Sequence, residues 1–413
     1  MPTPPPSTLT VLHCSRCPTH LQPDAVHQLC PTCSAPLLAR YDLERARASM
    51  TAEALAARRP TLWRYAELLP VRDPAYQLGF GEGMTPLHAA ERLGRELGVP
   101  GLLVKDDGVL PTGTFKARGA AIGVARAAEL GVRRMIMPTN GNAGAAWSAY
   151  AALHGLELGV VMPVDAPFIT RVECVATGAS VALVDGLIGD AGAIVARAVA
   201  RTPGLFDAST LKEPCRIEGK KTIALEFVEQ LAWKTPDVVV YPTGGGVGLI
   251  GIHKALGELR EMGLIDGPLP RLVAAQASGC APVVRAHDAR EDHCEGWVGG
   301  QTAAFGINVP KPLGDRLILQ ALRATEGVAI AVDDEAALRA QRQCARTQGL
   351  FVCPETGVAL AAVAQLRESG WIDAREVVMV ISTGNGIKYP DSLPAPDLIT
   401  LSPADDWEWG TLA

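Results

Sequence analysis

Short apolar runs recur along the chain from Leu102 onward, each set off by polar or glycine-rich stretches. They are LLV at Leu102, RMIMP at Arg134, LGVVMP at Leu158, SVALV at Ser180, DVVVYP at Asp237, RLVAAQ at Arg271, GVAIAV at Gly327 and VVMVIS at Val377. Apolar runs of this kind, without strict alternation, read as strands buried on both faces. Between them the spacing becomes helical. From Arg216 to Trp233, for instance, Ile223, Ala224, Phe227, Val228 and Leu231 share one face. Alternating strands and helices imply parallel sheets covered by helices. The runs are too many for one small sheet, so the pattern predicts two α/β domains with a site between them.

The regular alternation begins near LGFGEGMTPL, Leu78 to Leu87. Before it lie a charged helical stretch, 46 to about 75, with Trp63 and Tyr65, and a proline-rich lead followed by four cysteines. We expect a small cysteine ribbon at 1–45, a large α/β domain from 78–115 and 205–395, and a small α/β domain at 116–204. No internal repeat interrupts this plan.

At 413 residues, 48% hydrophobic and 20% charged, the chain is long enough for two packed domains. A net charge of −6 offers nothing to nucleic acid or an acidic membrane surface. No run approaches the roughly 20 apolar residues of a membrane span. MPTPPPSTLTV lacks the basic and apolar regions of a signal peptide, so a cytoplasmic protein with a small-molecule partner is expected.

Ten cysteines fall into two groups. Cys174, Cys215, Cys280, Cys294, Cys344 and Cys353 are scattered and expected to be reduced. Cys14, Cys17, Cys30 and Cys33 form two CxxC pairs twelve residues apart. Two such knuckles can place four thiolates around one Zn²⁺, so a structural zinc site is expected; a vestigial ribbon or disulfides formed on oxidation are the alternatives.

Three segments carry the chemistry. KDDGVLPTGTFKARG, Lys105 to Gly119, puts Lys116 at the junction of a turn and an apolar helix. PTNGNAG, Pro138 to Gly144, lies between a strand and a helix. There Asn142 is either a helix cap or an amide donor to a phenolate oxygen on a cofactor ring. TGGGVG, comprising Thr243, Gly244, Gly245, Gly246, Val247 and Gly248, follows the strand DVVVYP and opens a helix, the arrangement of an anion cradle. Near the C-terminus, ISTGNGIK places Ser382 or Thr383 where a hydroxyl can meet a ring nitrogen. A lysine amine, an amide loop and an anion cradle together are what pyridoxal phosphate requires.

These segments resemble the fold-type-II pyridoxal-phosphate enzymes, which have the tryptophan synthase β-subunit-like fold, and within them the threonine synthase family. PTGTFKARG is similar to the family's Schiff-base lysine motif. GEGMTPL, Gly81 to Leu87, is similar to its opening motif, EPCRIEGKKT, Glu213 to Thr222, to its arginine segment, and STGNGIK to its ring-nitrogen segment. The resemblance spans residues 78 to 390, and paired CxxC ribbons occur in relatives. The chain differs at Ala143 and Gly144, where the family commonly has hydroxyl residues, at Ala117, and at Glu213, where it has Asn.

The resemblance implies that Lys116 holds the cofactor and shuttles protons between Cα and Cβ of the substrate. The implied reaction is γ-elimination of phosphate from O-phosphohomoserine, then β-addition of water to give threonine. Arg216, with Lys221 or Arg118, is the expected phosphate clamp, and Thr139 and Asn140 are further candidate substrate contacts. A salt bridge from Arg216 to Glu218 or Glu226 is the structural alternative. The alternative activity is β-elimination or β-replacement on a serine- or threonine-like amino acid. A homodimer is also implied.

Overall fold

The computed structural model describes residues 5–393 and 400–404. The first four residues of the proline-rich lead, and positions 394 and 395 at the end of the expected large domain, lie outside them.

The ribbon consists of β1 (Leu9–Cys14), β2 (His20–Leu21) and β3 (Leu37–Tyr41), an antiparallel sheet in the order β2-β1-β3. Next come β4 (Leu87–Ala89) and β5 (Gly101–Asp106). A four-stranded sheet is then built from β6 (Arg134–Pro138), β7 (Glu157–Pro163), β8 (Ser180–Val184) and β9 (Leu205–Asp207), in the order β8-β7-β6-β9, all parallel. The chain then adds β10 (Val238–Pro242), β11 (Arg271–Ala277), β12 (Val328–Val332) and β13 (Val377–Ser382). These join the earlier pair in a six-stranded sheet, β12-β11-β10-β13-β5-β4, in which only β4 runs antiparallel.

All eight runs read as strands form strands, but β8 is not buried as expected: it stands at the edge of its sheet, none of its residues is buried and Leu183 is 47% exposed. In the two larger sheets, two strands escape the pattern because three residues are too few to show one: β4, at the edge of the six-stranded sheet, and β9. The latter belongs to the four-stranded sheet, although the expected boundary gives position 205 to the large domain.

Besides Ile188–Arg201, which lines the site, six helices form its walls or pack against them. They are α1 (Lys116–Glu129), α2 (Asn142–Leu153), α3 (Phe168–Ala176), α4 (Arg216–Gln230), α5 (Val247–Glu261) and α6 (Pro354–Glu368). Val238, Val240, Val378 and Val380 pack against α6 residues such as Val358 and Val363 on one face of the large sheet. On the other face, Val239, Met379 and Ile381 meet Ile223 and Phe227 of α4. Leu9, Leu12, Leu37 and Ala39 of the ribbon belong to that second core, so the ribbon is packed into the body of the protein.

α1 and α4 cross at close range. A Cβ on Gly219 would stand 2.0 Å from the Arg118 carbonyl oxygen, so only glycine permits this approach. The crossing matters because α1 begins at Lys116 and α4 at Arg216.

Candidate active site

The loops after β5, β6, β10 and β13 converge on one cleft, outside the C-terminal ends of parallel strands where open α/β sheets hold ligands. Its volume is about 660 Å³, and its walls include Lys116, Asn142, Gly244–Val247, Arg216, Lys220, Glu355 and Thr383. The walls are fastened to each other. Phe115 N–H donates to the Thr383 carbonyl at 3.0 Å, tying the start of α1 to the end of β13, and Thr114 bridges Gly384.

Lys116 stands with its amine 4.3 Å from the centroid of the Phe115 ring. Burial lowers its pKa to about 8; Glu355 opposes the shift and Arg216 adds to it. A buried amine adjusted in this way is partly neutral near physiological pH, as a nucleophile or proton shuttle must be.

The anion cradle is narrower than the glycine run suggests. Gly246 caps α5 with φ +71°, a left-handed conformation suited to glycine. The first N–H groups of α5, beginning with Gly246 and Val247, have no partner within the helix and point an anion-binding end at the cleft. Thr243 and Gly248 stand behind this lining. The Thr243 hydroxyl donates to the Tyr241 carbonyl at 2.8 Å, and a Cβ on Gly248 would strike the Tyr241 hydroxyl at 2.0 Å.

Asn142 is the first residue of α2 and Gly141 is its cap, so the side-chain amide is free for another role. Its Nδ2 donates to the Tyr389 hydroxyl at 2.6 Å, and its Oδ1 is buried without a partner. Thr139 Oγ1 accepts from the N–H groups of Gly141 and Gly144, each at 3.0 Å, which shapes the loop. Asn140 Nδ2 donates to the Asn308 carbonyl at 3.1 Å across the cleft. Ala143 lines the cleft, whereas Gly144 faces inward, where a Cβ would meet the Thr139 methyl at 2.7 Å. A hydroxyl residue at position 144 has no room.

The Ser382 hydroxyl is engaged with Asp106 at 3.0 Å, which leaves Thr383 as the cleft hydroxyl. Cys353 Sγ lies 3.6 Å from Thr383 Oγ1. Burial raises this thiol well above its ordinary range, so it is a neutral neighbour. Glu355 Oε1 accepts from Gly306 N–H at 2.6 Å and from the Tyr389 hydroxyl at 2.9 Å.

The expected clamp is rearranged. Arg216 lines the cleft, with its guanidinium carbon 4.5 Å from the Trp147 ring centroid and Nη1 donating to Thr210 Oγ1 at 3.1 Å. Its acidic partner is Glu213, 3.5 Å from Nε, and neither Glu218 nor Glu226. Glu213 also accepts the Cys215 and Arg216 backbone N–H groups and so starts α4.

Arg118 cannot clamp a ligand. It is fully buried, and both edges of its guanidinium are engaged by Asp107, Glu226, Thr85 and Thr222. Lys221 faces away from the cleft, paired with Glu218 at 2.7 Å and Glu258 at 2.8 Å over the Tyr41 ring of the ribbon. The lysine on the cleft side is Lys220, four residues and about one turn from Arg216. The i, i+4 relation to Arg216 was the available signal for it. Glu355 and Tyr389 carried no sequence signal, since neither sits in a motif.

Comparison with known proteins agrees with this geometry. Residues 78–384 match the family model described as pyridoxal-phosphate dependent enzyme. The threonine synthase of Methanocaldococcus jannaschii is 35% identical over 92% of this chain and 93% of its own length. That of Methanosarcina acetivorans is 33% identical over 92% of this chain and 93% of its own.

The chain belongs to the threonine synthase family of pyridoxal-phosphate-dependent enzymes.

Among solved structures, maize serine racemase superposes on this threonine synthase family member with a TM-score of 0.63 at 23% identity, covering 73% of this chain and 88% of its own. The L-serine ammonia-lyase of Rhizomucor miehei gives 0.63 at 22% identity, covering 75% and 98%. Both share the fold. The cleft fits the family's cofactor on its own terms. It offers an amine on Lys116, an orphaned amide oxygen on Asn142, a hydroxyl on Thr383 and the open end of α5, grouped in one cavity.

The four ribbon cysteines meet in one place. Their Sγ atoms all lie within 4.8 Å of one another, with Cys14–Cys33 at 3.4 Å and Cys17–Cys30 at 3.6 Å. A tetrahedral Zn–S₄ site has sulfurs about 3.8 Å apart, given Zn–S near 2.3 Å, so this set suits such an ion. Among the described residues no helix is long and apolar enough to cross a membrane.

Proposed function

We propose that the protein is a threonine synthase that converts O-phosphohomoserine to threonine. The observation that carries this reading is a cleft in which the Lys116 amine faces a fixed cation, Arg216, held by Trp147 and Thr210. The relatives at 35% and 33% identity, named as threonine synthases, support it.

Pyridoxal phosphate, when bound, supplies the electron sink that allows protons to leave carbon. Lys116, Asn142, Thr383 and the α5 N–H groups are the residues that would hold it. Lys116 would take and return protons at Cα and Cβ of the substrate. Glu355 stabilises its ammonium form, and burial with Arg216 favours the neutral form, so the amine can serve in both directions. Arg216 binds the departing phosphate through its guanidinium fork. The Lys388–Glu173 ion pair and the Asn140–Asn308 hydrogen bond join the α2–α3 side to the large-sheet side of the cleft.

Glu213 favours a second reading. Its carboxylate beside Arg216 offsets part of the charge a phosphate would need, which suits β-elimination on a hydroxy amino acid. One assay separates the two. Purified enzyme is offered O-phosphohomoserine, threonine, serine, O-phosphoserine and diaminopropionate, and phosphate, ammonia and new amino acids are followed. Phosphate and threonine from O-phosphohomoserine support the first reading. Ammonia from serine or threonine, without phosphate release, replaces it with the second.

The proposal extends to the rest of the chain. Cys14, Cys17, Cys30 and Cys33 hold one structural Zn²⁺, supported by the grouping of their four sulfurs within 4.8 Å of one another. The two larger sheets mark a large and a small domain, with the division falling after β9. The protein works as a cytoplasmic homodimer. Its six scattered cysteines are free and buried, which suits a reducing compartment, and sedimentation would reveal a two-chain species.

A further inference from the structure

Lysines inside this protein come with carboxylates. Lys105 pairs with Glu226, Lys221 and Lys254 each with Glu218 and Glu258, Lys388 with Glu173, and half-buried Lys212 with Asp207. Lys234 and Lys311 are exposed. Among the described residues two lysines that are not exposed have no carboxylate partner at salt-bridge distance, and both line the cleft. One is Lys116 and the other is Lys220.

The two amines share a surface. Lys220 Nζ lies 4.1 Å from the Phe115 ring centroid, where Lys116 Nζ lies at 4.3 Å, and Lys220 also donates to the Phe115 carbonyl. Lys220 is only 3% exposed. Every neighbouring element bears on its charge. From α1 it faces Lys116 and Arg118, and on its own helix it faces Arg216. Asp107, just after β5, is the one opposing acid, and both oxygens of that carboxylate are already held by the Nε–Nη2 edge of Arg118. From α5 the group against its stem is Gly251, which has no charge. Burial, then Lys116, drives Lys220 well below the ordinary lysine range, against the weaker pull of Asp107. Burying an ammonium that has no carboxylate partner among the described residues is costly, which favours the neutral amine.

We propose that Lys220 is a second amine base of this cleft, which takes the proton that an incoming substrate ammonium must lose before its nitrogen can react. The step balances simply. The N–H bond of the substrate ammonium breaks, a new N–H bond forms on Lys220 Nζ, and the proton passes to solvent when product leaves. This rests on an amino-acid substrate, which both functional readings share, and leaves Lys116 free for the protons on carbon.

Competitive labelling of the holoenzyme with acetic anhydride tests the protonation state without any substrate. Peptide mapping across pH gives the titration of each amine. Lys220 is expected to label as a neutral amine at pH 7, at least about tenfold faster than exposed Lys234 and Lys311 after correction for accessibility. The kinetic test uses Lys220→Met, with Lys220→Gln as the second variant should the first fold poorly, on whichever amino acid the panel identifies. kcat/KM at pH 7 should fall at least about tenfold and recover as pH rises and substrate arrives as free amine. Titration of Lys220 as an ordinary lysine would overturn the inference. So would retention of kcat/KM with an unchanged pH profile in the variants. Failure of the threonine synthase reading alone would change the substrate used and leave the labelling result untouched.

Discussion

Arg118 and Glu226 meet through two parallel hydrogen bonds, at 2.5 and 2.7 Å, with neither side chain exposed to solvent. Lys105 completes the group at 2.9 Å from Glu226, and Asp107 balances Arg118 from its other edge. The four side chains fasten β5, α1 and α4 together behind Lys116. Removing one member leaves buried charge uncompensated, which typically costs about 3–5 kcal/mol. Arg118→Gln is therefore expected to lower the unfolding free energy by about that amount in urea titrations.

The same group sets the acid response. Burial alone would raise the Glu226 pKa, but Arg118 and then Lys105 overcome it and hold the group near 2, below its ordinary 4.5. A carboxyl depressed in the folded state adds stability above its unfolded pKa and loses it as pH falls toward the folded one. Wild-type stability should thus decline between about pH 4.5 and 2 by roughly 3 kcal/mol from this group. Glu226→Gln should start lower and lose that part of the slope. An unchanged acid slope in the variant would show that other carboxyls control it.

Lys116 should capture cofactor with a pH dependence of its own. With the amine lowered to about 8, its neutral form already dominates above that pH, where an ordinary lysine is still charged. The rate at which cofactor-free protein takes up pyridoxal phosphate should rise with pH and level near 8. Lys116→Ala should show no visible protein-bound band and no borohydride-trapped cofactor. Trapping on another lysine in this variant, with Lys220 the nearest candidate, would show that attachment is not confined to Lys116.

Arg216→Gln separates clamp from scaffold. Losing a charge-assisted contact to a leaving phosphate costs about 2–5 kcal/mol. kcat/KM for O-phosphohomoserine should fall at least about tenfold, since 1.4 kcal/mol is one decade. The cofactor band should persist, because the cradle lies at the start of α5. Equal turnover by variant and wild type would remove Arg216 from the phosphate site and leave the enzyme class intact.

What the sequence could reveal depended on how local each signal was. Eight strands were legible because VVVYP or VVMVIS is a local apolar run, though the same signal wrongly made edge strand β8 a buried one, whereas β4 and β9 gain their identity only from the partner strand. The cofactor segments were legible because each is a contiguous motif at a strand end. The clamp was not. Arg118, Arg216, Lys220 and Lys221 look alike as cations, and their roles follow from the side of the α1–α4 crossing each faces. Glu355 and Tyr389 converge on Asn142 from distant positions, a meeting that no spacing encodes. The ribbon's cysteine pattern was plain, but its shared core with α4 and α5 is a tertiary fact.

That shared core shapes the expectation for metal removal. Four thiolates close a tetrahedron with no position left for water, so the ion should be structural. Elemental analysis of protein purified without added metal should find one zinc per chain. The ribbon strands bury Leu9, Leu12 and Leu37 against the helices that start at Arg216 and at the cradle. Tyr41 lies beneath Lys221 and Lys254 on the same two helices. Loosening the ribbon therefore exposes apolar surface and disturbs a buried charge cluster together. Cys17→Ser should lose the metal and lower the midpoint of thermal unfolding, with the cofactor band weakening as the ribbon releases α4 and α5. Full cofactor occupancy and unchanged unfolding after chelation would show that the ribbon holds its place by packing alone.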